Sequence, residues 1–121
     1  MKILLVDDSS TMRRIQKNTL STLGFTDVDE AEDGQDAVGK VSKTRYDLVL
    51  MDWNMPNMTG IDALKAIRAN PDTAKVPVIM VTSESEKTRI LEAIQAGATN
   101  YIVKPFTPDV LKEKLDAMKG V

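Results

Sequence analysis

The 121-residue sequence contains neither cysteine nor histidine. Without cysteine there is no disulfide framework and no thiolate metal site, a composition that fits a reducing compartment. Without histidine the chain has no imidazole base, no histidine-ligated metal and no histidine phosphocarrier of its own. A basic excess is missing too: 16 Lys and Arg against 18 Asp and Glu give a net charge of −2, so nucleic acid is not an expected direct partner. No apolar run exceeds about five residues, far short of the ~20 that span a bilayer. Met1-Lys2 followed by four apolar residues is also too short for a secretory signal. The expectation is a cytoplasmic protein without membrane insertion. With 42% hydrophobic and 28% charged residues, the chain has the composition of one globular domain, with no room for a second.

What is present is an alternation. Ile3-Leu4-Leu5-Val6, Leu48-Val49-Leu50-Met51 and Val78-Ile79-Met80-Val81 are unbroken apolar runs, the pattern of strands buried on both faces. Val28 to Ala31 and Tyr101-Ile102-Val103 read as two further strands. Asp29 and Glu30 make the former the weakest, suited to a sheet edge. Between them lie helical patterns. The first is capped by Ser9 or Ser10, carries Met12, Ile15, Leu20 and Leu23, and stops at Gly24. The second follows an Asp33-Gly34 turn signal and carries Ala37, Val38 and Val41, with Gly39 in mid-helix at a cost of about 1 kcal/mol against alanine. The third carries Ile61, Leu64 and Ile67 and breaks at Asn70-Pro71-Asp72. The fourth begins near Glu86, carries Ile90, Leu91 and Ile94, and stops at Gly97. The last is capped by Thr107, with Pro108 in its first turn, and carries Val110, Leu111, Leu115 and Met118. Five strands alternating with five helices about every 24 residues call for an α/β fold, a doubly wound five-stranded parallel sheet. Its order is taken as 2-1-3-4-5, by analogy with flavodoxin-like sheets.

In such a sheet all strand carboxyl ends lie on one edge, where these folds bind ligands. Four of the five ends carry polar groups: Asp7-Asp8, Asp52, Thr82 and Lys104. The 2-1-3 order brings Asp7 and Asp8 beside Asp52. Three crowded carboxylates require either a proton or a cation among them. An oxygen-only ligand set suits Mg²⁺, which bridges carboxylates to phosphate oxygens. Asp52 then reads as a carboxylate nucleophile for a phosphoryl group, with Lys104 and Thr82 serving the transferred oxygens.

These residues carry a resemblance. Val6-Asp7-Asp8, Met51 through Pro56, Gly60, Val81-Thr82-Ser83-Glu84, Ala96-Gly97-Ala98 and Lys104-Pro105-Phe106 stand in the order and spacing of the receiver domains of two-component response regulators. The chain most resembles the single-domain chemotaxis regulators, from Lys2 to about Lys119. The resemblance implies phosphorylation of Asp52 by a histidine kinase or a small phosphodonor. It implies Mg²⁺ on Asp8, Asp52 and the Asn54 carbonyl, with Asp7 acting through water. Thr82 and Tyr101 become a switch pair, Lys104 a phosphate sensor, and Asn54 and Glu84 the residues that tune phosphoryl lifetime. Ser83 stands where the family favours a small residue. The Lys104-Pro105 bond is expected to be cis. With no output domain after Val121, the signal is expected to leave through a protein contact, at a face made by the fourth helix, fifth strand and fifth helix. The implied partners are a chemotaxis kinase, the flagellar motor switch protein and a possible phosphatase, with the protein itself a monomer. Its own chemistry is limited to phosphorylation from small donors and slow loss of the phosphoryl group.

Each residue also has a plainer reading. Asp52 or Thr82 alone would be a helix cap, Asp7-Asp8 a helix start, and Tyr101 a half-exposed strand aromatic. Trp53 is packing, and most methionines are core filler, with Met55 and Met58 the exceptions in an exposed loop. Lys87, Arg89, Lys112, Lys114 and Lys119 make a solvated face or a docking face. Rival functions are a phosphorelay intermediate or phosphate sink, an aspartate-nucleophile phosphatase and a flavin-binding module. The phosphatase class places a second acid where Asn54 stands, and the acids would repel a flavin phosphate.

Overall fold

A computed structural model describes residues 1–82, 87–104 and 106–119, with 87, 88 and 119 described as backbone alone. Five strands, β1 (Ile3–Val6), β2 (Val28–Ala31), β3 (Leu48–Asp52), β4 (Val78–Thr82) and β5 (Asn100–Val103), alternate with five helices. The helices are α1 (Ser10–Thr22), α2 (Gly34–Lys43), α3 (Gly60–Ala69), α4 (Lys87–Gln95) and α5 (Pro108–Lys119). All strand pairings are parallel, as the alternation predicts, and the order is β2-β1-β3-β4-β5, the one taken by analogy with flavodoxin-like sheets. The three apolar runs are the three central strands, buried along their whole length. β2, with its two acids half-buried, takes one edge.

Successive strand residues point to opposite faces, and the core divides accordingly. Leu4, Val6, Val49, Met51, Val78 and Met80 pack beneath α2, α3 and α4, through Ala37, Val41, Ile61, Leu64, Ile67 and Ala93. Ile3, Leu5, Leu48, Leu50, Ile79, Val81 and Ile102 pack beneath α1 and α5, through Leu20, Leu111 and Leu115.

Several local expectations change. Asp33 is not a turn residue but the N-cap of α2: its carboxylate accepts from the Asp36 N–H, and Gly34 is already helical. Ser9, not Ser10, caps α1. In α1 the inward face carries Gln16 and Leu20, while Ile15 is exposed. In α4, Ala93 is buried and Leu91 and Ile94 point outward. Met55 belongs to the core, packed with Trp53, whereas Met58 is only partly covered. Glu84, Ser83, Glu86 and the Lys104–Pro105 bond lie outside the described residues.

The turn from β3 to α3 is tight for a visible reason. A Cβ at Gly60 would lie 2.0 Å from the backbone oxygen of Asp52, and the Gly60 N–H donates to Trp53 O at 2.9 Å. Any side chain there pushes the end of β3 away from α3. We expect Gly60→Ala to lower the urea midpoint by the equivalent of about 3 kcal/mol or more, the upper range of overpacking. Gly39 is the converse: it is helical, exposed, and a Cβ there meets nothing within 4 Å. Gly39→Ala should therefore raise stability by about 1 kcal/mol, read from the same denaturation curve at unchanged slope.

Candidate functional site

β1 and β3 are adjacent with Val6 opposite Met51, so the next residues, Asp7 and Asp52, stand side by side at the carboxyl edge. The ladder runs on past the strands. Asp7 N–H donates to Ala31 O at 3.1 Å, Trp53 N–H to Val81 O at 3.0 Å, and Lys104 N–H to Thr82 O at 2.7 Å. Alternation then assigns the faces. Asp7 follows Ile3 and Leu5, Asp52 follows Leu48 and Leu50, and Lys104 follows Ile102, all on the α1/α5 side. Val81, opposite both Asp52 and Ile102, separates the acid from the base, and the long lysine stem spans the intervening strand.

Lys104 Nζ donates to Asp52 Oδ1 at 3.0 Å and lies 3.5 Å from Asp7 Oδ2. Asp52 Oδ1 also accepts from the Trp53 N–H at 3.0 Å. Both hydrogen bonds to Asp52 fall on one oxygen, so the other is the atom available to a cation or a phosphoryl group. Asp7 Oδ1 accepts from the Ser9 N–H at 2.9 Å. Asp7 Oδ2 is buried with no hydrogen-bond donor, and the lysine at 3.5 Å offsets its charge without bonding it. Asp8 is exposed at the rim, and oxygens of Asp7, Asp8 and Asp52 all fall within 4.8 Å of one another. A buried orphan oxygen inside an all-carboxylate trio is the donor set of a hard divalent cation.

Burial raises the Asp52 carboxyl above the ordinary carboxylate range. The Lys104 hydrogen bond pulls it down and the Asp7 charge pushes it up again, leaving it raised. Burial pulls Lys104 down, but the hydrogen bond and charge of Asp52, aided by Asp7, outweigh it and hold the lysine above its usual value. At this separation each carboxylate pair repels by about 3–4 kcal/mol at an effective dielectric of 20. One ammonium against three carboxylates cannot cancel that.

The remaining expected residues fall around this centre. Thr82 ends β4, almost fully buried. Tyr101 is half-buried in β5, opposite Met80, on the face away from Asp52, with Lys114 Nζ 4.3 Å from its ring centroid. Asn54 is exposed in the loop beyond β3, and Trp53 is buried beneath it. Two arginines join the site that sequence reasoning did not place there. Arg13 donates through Nη1 to the Asp7 backbone oxygen at 2.5 Å and through Nε to Glu30 at 2.9 Å, fixing the first acid against β2. Arg89, expected on the distal face, instead reaches Trp53 and Asn54. No spacing signal marks either one, because each contact joins separate elements.

The chain belongs to the response regulator receiver domain family, whose model matches residues 3–116. Within it, the chain is 54% identical over 116 residues to the chemotaxis protein CheY of Pseudomonas aeruginosa, covering 96% of this chain and 94% of that protein. It is 56% identical over 116 residues to chemotaxis protein CheY-3 of Vibrio cholerae, covering 96% and 89%. Among solved structures it superposes, with a TM-score of 0.88 and 32% identity, on the receiver domain of a sensor histidine kinase of Pseudomonas aeruginosa. That comparison covers 99% of this chain and 98% of that one, which has a magnesium ion coordinated in its active-site cleft.

Removing one charge from the trio should relieve repulsion. We expect Asp52→Asn and Asp7→Asn each to raise the metal-free melting temperature at pH 7 by a few degrees, the equivalent of about 1 kcal/mol. Because Asp52 titrates higher folded than unfolded, its cost to the fold is absent below the unfolded value and complete only above the folded one. The Asp52→Asn gain should therefore fade as the pH falls toward the unfolded value and be gone below about 4. Thermal melts in chelator across that range test this; two variants that both melt lower at pH 7 would contradict the crowded-acid geometry.

Proposed function

We propose that Asp52 is the phosphoacceptor of a signalling switch. The carrying observation is the Lys104 ammonium bridging two buried acids at the carboxyl edge of the sheet. A phosphohistidine of a kinase or a small donor such as acetyl phosphate supplies the phosphoryl group. The bond from phosphorus to the donor atom breaks as a new one forms to the Asp52 oxygen left without a hydrogen bond. Asp8, Asp52 and the Asn54 carbonyl, with Asp7 acting through water, would hold Mg²⁺, which would supply positive charge opposite the phosphoryl oxygens. Lys104 is placed to follow the developing oxygens without leaving its hydrogen bond. The magnesium ion coordinated in the active-site cleft of the similar kinase receiver domain supports this choice of ion.

Phosphorylation adds charge and acceptor oxygens. Thr82 moves toward the phosphoryl group, and the space it leaves admits the Tyr101 ring. Thr82 and Tyr101 lie on adjacent strands, two positions apart in register, since Thr82 faces Val103 and Tyr101 faces Met80. That makes them neighbours on one sheet face. The output is altered affinity for a partner protein at α4, β5 and α5, where Leu91, Ile94 and Val110 are exposed. The similarity to chemotaxis CheY proteins favours a chemotaxis kinase as donor and the flagellar motor switch as target. A phosphatase is a further partner, the protein acts in the cytoplasm as a monomer, and it is a switch rather than a turnover enzyme. Among the described residues no helix is long and apolar enough to cross a membrane.

Trp53, the only tryptophan, adjoins the acceptor and reports on it without a label. Its fluorescence should change saturably with Mg²⁺, then again with acetyl phosphate in the presence of metal. Asp52→Asn should abolish the second change. A metal response with no donor effect, together with no acid-labile phosphate on the protein, would remove the acceptor reading and leave a cation site.

A further inference from the structure

Arg89 lies in the first turn of α4, yet its guanidinium turns toward the loop that carries the acceptor. Its central carbon is 5.4 Å from the Trp53 ring centroid, within range for a cation above an indole. Its Nη1 is 3.5 Å from Asn54 Oδ1. These two partners are the two residues that directly follow Asp52. Trp53 is a firm platform, because its ring is buried in the core with Met55 and Ile61. Asn54, by contrast, is exposed at the mouth of the site, where an amide would otherwise rotate.

Arginine has only donors, and an amide NH₂ has no lone pair to offer it. The guanidinium therefore selects one of the two amide orientations, with Oδ1 toward α4. The Asn54 NH₂ is the end of the amide that this contact leaves for other partners. That matters because the two ends of the amide do opposite things to an acyl phosphate. An N–H donates to a phosphoryl oxygen and stabilises it. A carbonyl oxygen accepts from water and can orient it for attack. Hydrolysis requires such a water: it attacks phosphorus, the bond to the Asp52 oxygen breaks, the carboxylate re-forms, and the water proton leaves with inorganic phosphate.

We propose that Arg89 is a positioning residue that holds the Asn54 amide with its donors toward Asp52 and so prolongs the phosphoryl state. This rests on Asp52 being the acceptor. Arg89 need not touch the phosphoryl group. Its effect passes through Asn54, with Trp53 fixing where the guanidinium lies.

The test compares the full chain with Arg89→Ala, Arg89→Lys, Asn54→Ala and the double variant Arg89→Ala/Asn54→Ala. Each is loaded with acetyl phosphate and Mg²⁺, the donor is removed, and loss of acyl phosphate is followed directly. Arg89→Ala should lose phosphate roughly threefold faster or more, with the rate of phosphorylation by acetyl phosphate unchanged. Arg89→Lys, which still offers a cationic donor to Oδ1, should recover most of the lifetime. In the Asn54→Ala background, removing Arg89 should have no further effect on the rate. Trp53 emission of unphosphorylated Arg89→Ala should shift from that of the parent, showing that the cation has left the ring. An unchanged lifetime in Arg89→Ala, or equal acceleration with and without Asn54, would overturn the Arg89 role while leaving the acceptor intact. Failure of the parent chain to load any phosphate would overturn both.

Discussion

The repulsion among Asp7, Asp8 and Asp52 is the constraint on which the rest of the site depends. Two of these acids, Asp7 and Asp52, cannot spread apart. Asp7 and Asp52 end adjacent strands, each held in register by ladder hydrogen bonds, and the residues behind them are the most completely buried in the protein. The apolar sheet thus forces together charges that would separate in solution. Lys104 supplies one opposing charge from across β4. A second, divalent charge is what the remaining orphan oxygen calls for. Under the proposed function, transfer and metal binding would be thermodynamically linked, because both would use the same carboxylates.

How the lysine comes to stand there is a matter of strand parity rather than of loops. Lys104 lies two residues beyond Ile102, and Asp52 two beyond Leu50, so both inherit the α1/α5 face of the sheet. A one-residue slip in either strand would send that side chain to the opposite face. The core hydrophobes that look purely structural, Leu50 and Ile102 among them, therefore also set the aim of the reactive groups. Gly60 contributes in the same sense. It lets α3 start against the backbone of Asp52, which fixes the end of β3 from the other side.

Strands and strand-end chemistry were legible in the sequence because both are local. Four consecutive apolar residues ended by an acid state a buried strand and its exit at once. Helix faces were less legible. In α1 the apolar Ile15 lies outside and Gln16 inside, and in α4 the small Ala93 is buried while Leu91 and Ile94 are exposed. A hydrophobic pattern cannot distinguish an apolar residue turned to the core from one turned to solvent. Asp33-Gly34 reads as a turn and is a cap, since both arrangements use an acid whose carboxylate bonds a nearby backbone N–H. Met55 sits in a polar stretch and is nonetheless core. Arg13 and Arg89 reach the site from two other elements, and no spacing along the chain encodes a contact of that kind.

These misread helix faces bear on how the site communicates. α4 has nine residues and three different surroundings. Ala93 anchors it to the core, Arg89 ties its first turn to the residues after the acceptor, and Leu91 and Ile94 lie open. Among the described residues of α4 only Ala93 is buried, whereas α3 buries five, so altering one contact of α4 shifts its docking more than the same change would in α3. The loop after Asp52 therefore touches α4 directly through Arg89, on the same sheet face as Thr82 and Tyr101. Under the proposed switch, two physical routes would lead from Asp52 to the same helix, one through Thr82 and Tyr101 and one through the Trp53 ring and the Asn54 amide. Coupling spread over both would survive partial loss of either.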